Sequence, residues 1–212
     1  MQNIQVTEEE IRQALVSRHT EGIQARISAA RVAVAGLGGL GSNIAVSLAR
    51  LGVGHLHLID FDRVDVTNLN RQQYFADQVG MPKTEALREN LLRINPWLDL
   101  RTDCLRVTEE NAAGLLRDDT YICEAFDVAE QKAMFVRTVL EQLPEKYLVA
   151  ASGMAGYGDG NEIHTRRVTS RFYLCGDEKT EAAAGRGLMA PRVALCAAHQ
   201  ANMVLRLILG ES

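Results

Sequence analysis

The chain has 212 residues, 47% hydrophobic and 24% charged, which fits one large globular domain and excludes a disordered chain or a disulfide scaffold. With 23 basic and 27 acidic residues the formal net charge is −4, which disfavours a general nucleic-acid binder. No apolar run approaches the roughly 18 residues that span a bilayer, and the polar N-terminus MQNIQVTEEEIRQ lacks the apolar stretch of a signal peptide. Cys104, Cys123, Cys175 and Cys196 form no C-x-x-C pair, so a reduced, cytoplasmic setting is expected.

In chain order, Thr7-Glu8-Glu9-Glu10 matches a capping box and predicts a helix from about residue 8, with Ile11, Ala14 and Leu15 as its apolar face. A second short helix carries Ile23 and Ile27 and completes an N-terminal helical segment over about residues 1–30. Arg31–Ala35 is short, β-rich and apolar, as a buried parallel strand is. A glycine cluster follows, then Ile44–Ala49 at helical spacing, ended by Gly52 and Gly54. His55–Asp60 reads as the next strand, making a βαβ unit. Residues 61–80 are polar with little periodicity. Pro82 opens a helix with Leu87, Leu91 and Ile94, closed by Asn95-Pro96. Leu98 and Leu100 suggest a strand, and Thr108 caps a short helix through Leu116. Tyr121-Ile122-Cys123 begins another strand, with Asp127 just past it; Ala133, Val136 and Leu140 mark a helix, and Tyr147–Ala151 a buried strand. Gly153, Gly156, Gly158 and Gly160 break the chain. Residues 162–175 look like a two-strand excursion, 176–187 like a mobile loop, and Pro191–Leu209 like a long buried helix. This alternation predicts one α/β domain over residues 1–212: a Rossmann-like, doubly wound, mainly parallel sheet with helices on both faces.

Gly36-Leu37-Gly38-Gly39-Leu40-Gly41 satisfies G-x-G-x-x-G between a predicted strand and a predicted helix. Gly36, Gly38, Gly39 and Gly41 let the backbone turn tightly and approach a phosphate, while the helix N-terminus offers free N–H groups and partial positive charge. Asp60 ends the second strand 24 residues after Gly36, where a carboxylate can accept from ribose hydroxyls. The following residues bear on which nucleotide is bound. Asp60-Phe61-Asp62 is followed by Asn68-Leu69-Asn70-Arg71-Gln72, and then by Met81-Pro82-Lys83-Thr84. A surface Lys or Arg is ordinarily just solvated. An Arg and a Lys at strand ends and helix starts beside a phosphate loop suit phosphoryl or nucleotidyl transfer, where charge builds on departing phosphates. Asp127 could supply an oxygen ligand to Mg²⁺.

On Gly36–Ser42, Asp60-Phe61-Asp62, Asn68–Gln72, Lys83 and Asp127, the chain resembles the ThiF/MoeB/HesA group of ubiquitin-activating-type adenylyltransferases, from about residue 18 to 209. Stretches such as Asn68–Phe75 and Ala150–Gly158 look like a short ThiF-like subtype of thiamine biosynthesis. The resemblance implies ATP- and Mg²⁺-dependent adenylylation of the C-terminal glycine of a small ubiquitin-fold sulfur carrier ending in Gly-Gly, by a homodimer. It implies that Gly39 lies against the phosphates, Asp60 holds the ribose, Asn68 and Arg71 hold phosphates, Lys83 stabilises charge during displacement, and Asp127 binds Mg²⁺. It also implies that Arg18 reaches into the partner subunit's site. Where many members carry a polar residue after the magnesium aspartate, this chain has Val128.

The two C-x-x-C pairs that hold structural zinc in many members are missing, so no zinc is expected. The 176–187 loop has no cysteine for a covalent carrier adduct. His55 and His57 share a strand face and read as structural, as does Cys196 with His199. The sequence leaves open an NAD-dependent oxidoreductase, a scaffold for a ubiquitin-like partner, and adenylylation of another acceptor: a tRNA base, a peptide or a molybdopterin-synthase carrier.

Overall fold

A computed structural model describes residues 6–211. Two helices, α1 (Glu8–His19) and α2 (Glu21–Ser28), lead into β1 (Arg31–Ala35), α3 (Gly39–Leu51) and β2 (His55–Ile59). Two short 3₁₀ turns at Val66–Asn68 and Ala76–Gln78 precede α4 (Lys83–Ile94), β3 (Asp99–Asp103), α5 (Glu109–Leu115) and β4 (Tyr121–Glu124). Then come α6 (Ala129–Gln142), β5 (Tyr147–Ala151), the hairpin β6 (His164–Arg167) and β7 (Phe172–Gly176), and α7 (Ala190–Ile208). The sheet order is β3-β2-β1-β4-β5-β7-β6. Every neighbour pair is parallel except β6 against β7. This is the doubly wound α/β architecture expected from the alternation of elements.

Alternation within the strands divides the core into two layers. Val32 and Val34 of β1, with Leu56 and Leu58 of β2, face a layer completed by α2, α3, α4 and α7. Ala33, Ala35 and Ile59 face the other, filled by α5 and α6. The chain winds first toward β3 and then back toward β6, so the order reverses between β1 and β4. In open α/β sheets the crevice outside the strand ends at that reversal is where ligands bind.

Local expectations fare unevenly. Thr7 Oγ1 accepts from Glu10 N–H (3.2 Å), and the Thr7 N–H donates to Glu10 Oε2 (2.7 Å), closing the capping box. The apolar face expected from Ile11, Ala14 and Leu15 is not taken into the core: no residue of α1 is buried. The helix packs against α2 instead of the sheet. Gly52 ends α3 in the left-handed conformation (φ 85°), as expected. The 176–187 segment is exposed except at its start, where Asp177 is buried. His55 pairs with Asp99 (2.7 Å), and buried His57 bridges Asp119 and Asp103 (2.8 Å each), which matches the structural reading of this face. No helix among the described residues is long and apolar enough to cross a membrane.

Candidate active site

The glycine loop follows β1 at the strand-order reversal. Gly36 has φ 89°, and a side chain there would meet the Ala125 carbonyl oxygen at 2.8 Å. A Cβ at Gly41 would collide with the Gly36 carbonyl oxygen. Gly39 lies against Val193 of α7 and the Arg71 side chain. At Gly38 only the Gln72 amide, 3.9 Å away, approaches where a side chain would stand, so this backbone is open to a close-lying ligand. Three of the four motif glycines are thus explained by packing, and Gly38 is the one whose surface faces outward.

Asp60, at the end of β2, is 7% exposed. Its Oδ2 accepts from Leu37 N–H (2.6 Å) and its Oδ1 from Asp62 N–H (2.8 Å). Asp62 in turn receives the ammonium of Lys83 (Nζ to Oδ2, 3.1 Å) and accepts the Lys83 backbone N–H at its own carbonyl (2.9 Å). Lys83 is 6% exposed at the start of α4, whereas the Asp62 side chain is half exposed. The structure therefore joins Leu37, Asp60, Asp62 and Lys83 in one hydrogen-bonded chain.

The Asn68–Phe75 segment is stitched to the N-terminal turn of α3. Ser42 Oγ accepts from Gln73 N–H (3.1 Å), and Asn43 Nδ2 donates to the Arg71 carbonyl (3.1 Å). The buried Tyr74 hydroxyl donates to the Leu37 carbonyl (2.8 Å). Burial, with the charges of Asp60 and Asp62, pushes that hydroxyl well above the ordinary tyrosine range, so it stays a donor. Asn68 spends its Oδ1 on the Asp65 N–H (3.0 Å), capping the first 3₁₀ turn. Arg71 donates from Nη1 to Asn70 Oδ1 (2.8 Å) and the Thr67 carbonyl (3.3 Å). Its buried Nε, and Oε1 of buried Gln72, find no hydrogen-bond partner among the described residues. The unmet Arg71 Nε beside an open glycine backbone is a donor that a polyanionic ligand would satisfy, whereas Gln72 Oε1 asks for a donor such as water or a hydroxyl. A depression of about 340 Å³ opens on the α7 side of Arg71, bounded by Asn43, Asn70, Gln73 and Pro191. Asp60, Lys83 and Asp127 do not line it, so it adjoins the loop without covering it.

Asp127 is exposed, just after β4. The same turn places the Ala125 carbonyl and the Phe126 ring against Gly36, so Asp127 stands beside the glycine loop. No group of three or more His, Cys, Asp or Glu side chains among the described residues is placed to hold a metal ion. Arg18 is not brought to this site. It is exposed on α1, and neighbouring Leu15 packs at Gly52, at the opposite end of α3 from the glycine loop. A helix of that length separates the two by about 20 Å, at about 1.5 Å per residue.

Two buried ion pairs escaped the sequence reading. Glu124, fully buried at the end of β4, binds Lys132 of α6 through both oxygens (2.8 Å each). Burial raises the Glu124 carboxyl above its usual range, against the pull of Lys132. Arg192 of α7 binds Asp177 (2.6 Å) and the carbonyls of Gly158 (2.8 Å) and Asp159 (2.7 Å), gathering the glycine-rich segment and the start of the 176–187 loop. Burial works to raise the Asp177 carboxyl, but hydrogen bonds from Thr180, the Lys179 and Thr180 backbone and Arg192 hold it well below the usual range. Neither pair follows a helix or strand spacing: Lys132 lies eight residues after Glu124 across the turn into α6, and Arg192 fifteen after Asp177 across the exposed loop.

The ThiF family model matches residues 11–212. The chain is 32% identical over 197 residues to molybdopterin-synthase adenylyltransferase of Escherichia coli, covering 88% of this chain and 76% of that one. It is 36% identical over 137 residues to tRNA threonylcarbamoyladenosine dehydratase of E. coli, covering 63% and 50%. It is also 37% identical over 105 residues to sulfur carrier protein adenylyltransferase of Thermus thermophilus, covering 49% and 39%. Among solved structures, that E. coli dehydratase bound to ATP superposes with a TM-score of 0.86 at 23% identity, covering 97% of each chain, which matches the fold. With the glycine loop, Asp60, Arg71, Lys83 and Asp127 gathered at the strand-order reversal, the match over nearly the whole chain makes this protein a member of the ThiF family.

Proposed function

We propose that the protein is a nucleotidyltransferase that uses ATP to adenylylate the C-terminal glycine carboxylate of a small ubiquitin-fold sulfur carrier protein. Its relatives named adenylyltransferases support the reaction class. The observation that carries the reading is the cationic pair Arg71 and Lys83, held beside an open glycine loop by Asn43 and Asp62. A carboxylate is a poor acyl donor. Its oxygen attacks the α-phosphorus of ATP, the bond to the bridging oxygen of the β-phosphate breaks, and that electron pair leaves on pyrophosphate. The acyl-adenylate then carries AMP as leaving group. Positioning and charge neutralisation supply most of the rate in such displacements.

In this reading Gly36, Gly38, Gly39 and Gly41 shape the phosphate loop and Asp60, with Asp62, frames the ribose. Asn68 and Arg71 bind phosphates, and Lys83 meets charge developing on pyrophosphate. Mg²⁺ is commonly held by one or two carboxylates plus phosphates and water, so exposed Asp127 beside the loop fits it without a dedicated cage. Bound there, the ion would neutralise phosphate charge. Arg18, remote from its own site, is assigned to the second subunit of a homodimer. A place in thiamine (thiazole) biosynthesis extends the same proposal, drawn from the ThiF-like stretches at Asn68–Phe75 and Ala150–Gly158.

The test is ATP–pyrophosphate exchange with purified carriers ending in Gly-Gly. Carrier-dependent exchange is expected. A folded protein that binds ATP yet exchanges with no such carrier would defeat the proposal. A second reading, favoured by the likeness to the tRNA-modifying relative, puts a tRNA nucleoside in the carrier's place. Exchange that depends on tRNA would select it, and NAD binding that ATP cannot displace would reject both.

A further inference from the structure

The turn between β4 and α6 is held by one ammonium group. Lys132 Nζ donates to both oxygens of Glu124 (2.8 Å each) and to the Phe126 carbonyl (3.1 Å). Glu124 Oε1 also accepts the Phe126 N–H at 2.7 Å. Both polar groups of Phe126 are therefore fixed, one by each member of the pair. The Phe126 carbonyl belongs to the peptide bond that enters Asp127, so Lys132 sets the plane from which the Asp127 side chain departs. The Phe126 ring is pinned as well, edge-on to Phe135 with centroids 5.2 Å apart. On the far side Val128 is the N-cap of α6; its side chain makes no capping bond, and among the described residues only its carbonyl is held, by the Lys132 N–H (3.0 Å).

The Glu124 side chain is 0% exposed and that of Lys132 only 23%. Taking a carboxylate wholly out of water carries a heavy desolvation cost, and well-packed apolar residues of similar size often serve stability equally well. A fully buried acid at this strand end points to a role other than packing. Among the described residues the side chains of the pair make no hydrogen bond to the glycine loop, Arg71 or Lys83, so they act through the turn that they clamp.

We infer that Glu124 and Lys132 are positioning residues that present the Asp127 carboxylate to a divalent cation on the nucleotide phosphates, so that removing Lys132 weakens the metal and spares the nucleotide. This rests on the proposed role of Asp127. The partners that orient a metal-binding carboxylate from behind are commonly as consequential as the ligand itself.

The test measures Mn²⁺ binding by calorimetry to the full chain saturated with a non-hydrolysable ATP analogue, beside binding of that analogue without metal. Lys132→Met is expected to lower Mn²⁺ affinity roughly 10–100-fold while leaving metal-free analogue binding unchanged. Lys132→Arg, which keeps a donor, is expected to restore part of the loss. Should Lys132→Met fold poorly with Glu124 left unpaired, the neutral double variant Glu124→Gln/Lys132→Met decides, and the same loss is expected. Asp127→Asn separates the two layers of the argument. If it weakens Mn²⁺ while Lys132→Met and the double variant bind Mn²⁺ like the parent, the positioning role is overturned and the reading of Asp127 stands. If Asp127→Asn binds Mn²⁺ like the parent, both fall. A parallel loss of metal and metal-free nucleotide binding in Lys132→Met would mark the pair as merely structural.

Discussion

Asp60 Oδ2 accepts a 2.6 Å hydrogen bond from the backbone N–H of Leu37, which ties the end of β2 directly to the second residue of the glycine loop. The other oxygen of the same carboxylate holds Asp62, the partner of Lys83. A residue whose obvious reading is a ribose contact thus also sets the loop and the lysine relative to each other.

Asp60→Ala should therefore lower stability as well as nucleotide binding. It leaves the buried Leu37 N–H without its acceptor, at a cost of about 1–3 kcal/mol, while the exposed Asp62 N–H can turn to water. Thermal unfolding with and without ATP checks this. An unchanged melting temperature with only weaker ATP binding would leave Asp60 as a ligand contact alone.

Arg71→Ala and Lys83→Met should each cut carrier-dependent ATP–pyrophosphate exchange by about 10²–10³-fold, the usual effect of losing one donor aimed at developing charge. Arg71→Ala should retain the parent melting temperature, since Arg71 Nη1 bonds only within its own segment. Exchange rates close to the parent in both variants would take these residues out of the chemistry.

Acid should weaken the anchorage of the 176–187 segment through Asp177. Its carboxyl is held below the usual range in the folded state, so its contribution is complete above the unfolded value of about 3.9 and fades as pH falls toward the folded one. Asp177→Asn breaks a buried pair with Arg192 and should cost about 3–5 kcal/mol at neutral pH. The gap between parent and variant should then narrow below about pH 4. Denaturant melts across pH measure it, and a gap that stays constant into acid would contradict the pairing.

Of the four thiols, Cys104 is exposed and the other three are buried. Burial pushes Cys175 up to about 11 and Cys196 up to about 12, and Cys123 higher still, so little thiolate exists on any of them at neutral pH. Native protein should show one fast-reacting thiol with an aromatic disulfide reagent and four after denaturation. Rapid native labelling of Cys175, located by peptide mass spectrometry, would reopen a covalent carrier adduct at that residue.

The strands and the glycine loop were legible in the sequence because their signals are local. Val32–Ala35 and Leu148–Ala151 are short apolar runs buried on both faces, and the glycine spacing at Gly36, Gly38, Gly39 and Gly41 is visible in six consecutive residues, although the neighbours that crowd Gly36 and Gly39, Ala125 and Val193, come from far along the chain. Likewise, Asp60, Lys83 and Asp127 were readable as candidates because each stands at a strand end or helix start. The tertiary structure decided what holds them. Tyr74 reaches Leu37 across 37 residues, Asp62 reaches Lys83 across 21, and Arg192 reaches Asp177 between a helix and a loop. It also decided that the apolar positions of α1 stay out of the core and that Arg18 lies far from its own glycine loop. Periodicity reports which side of an element is apolar, but not what covers that side or which buried charges meet across a turn. Those outcomes depend on packing between elements, where the cost of burying a charge such as Glu124 is offset only by a partner that the fold delivers.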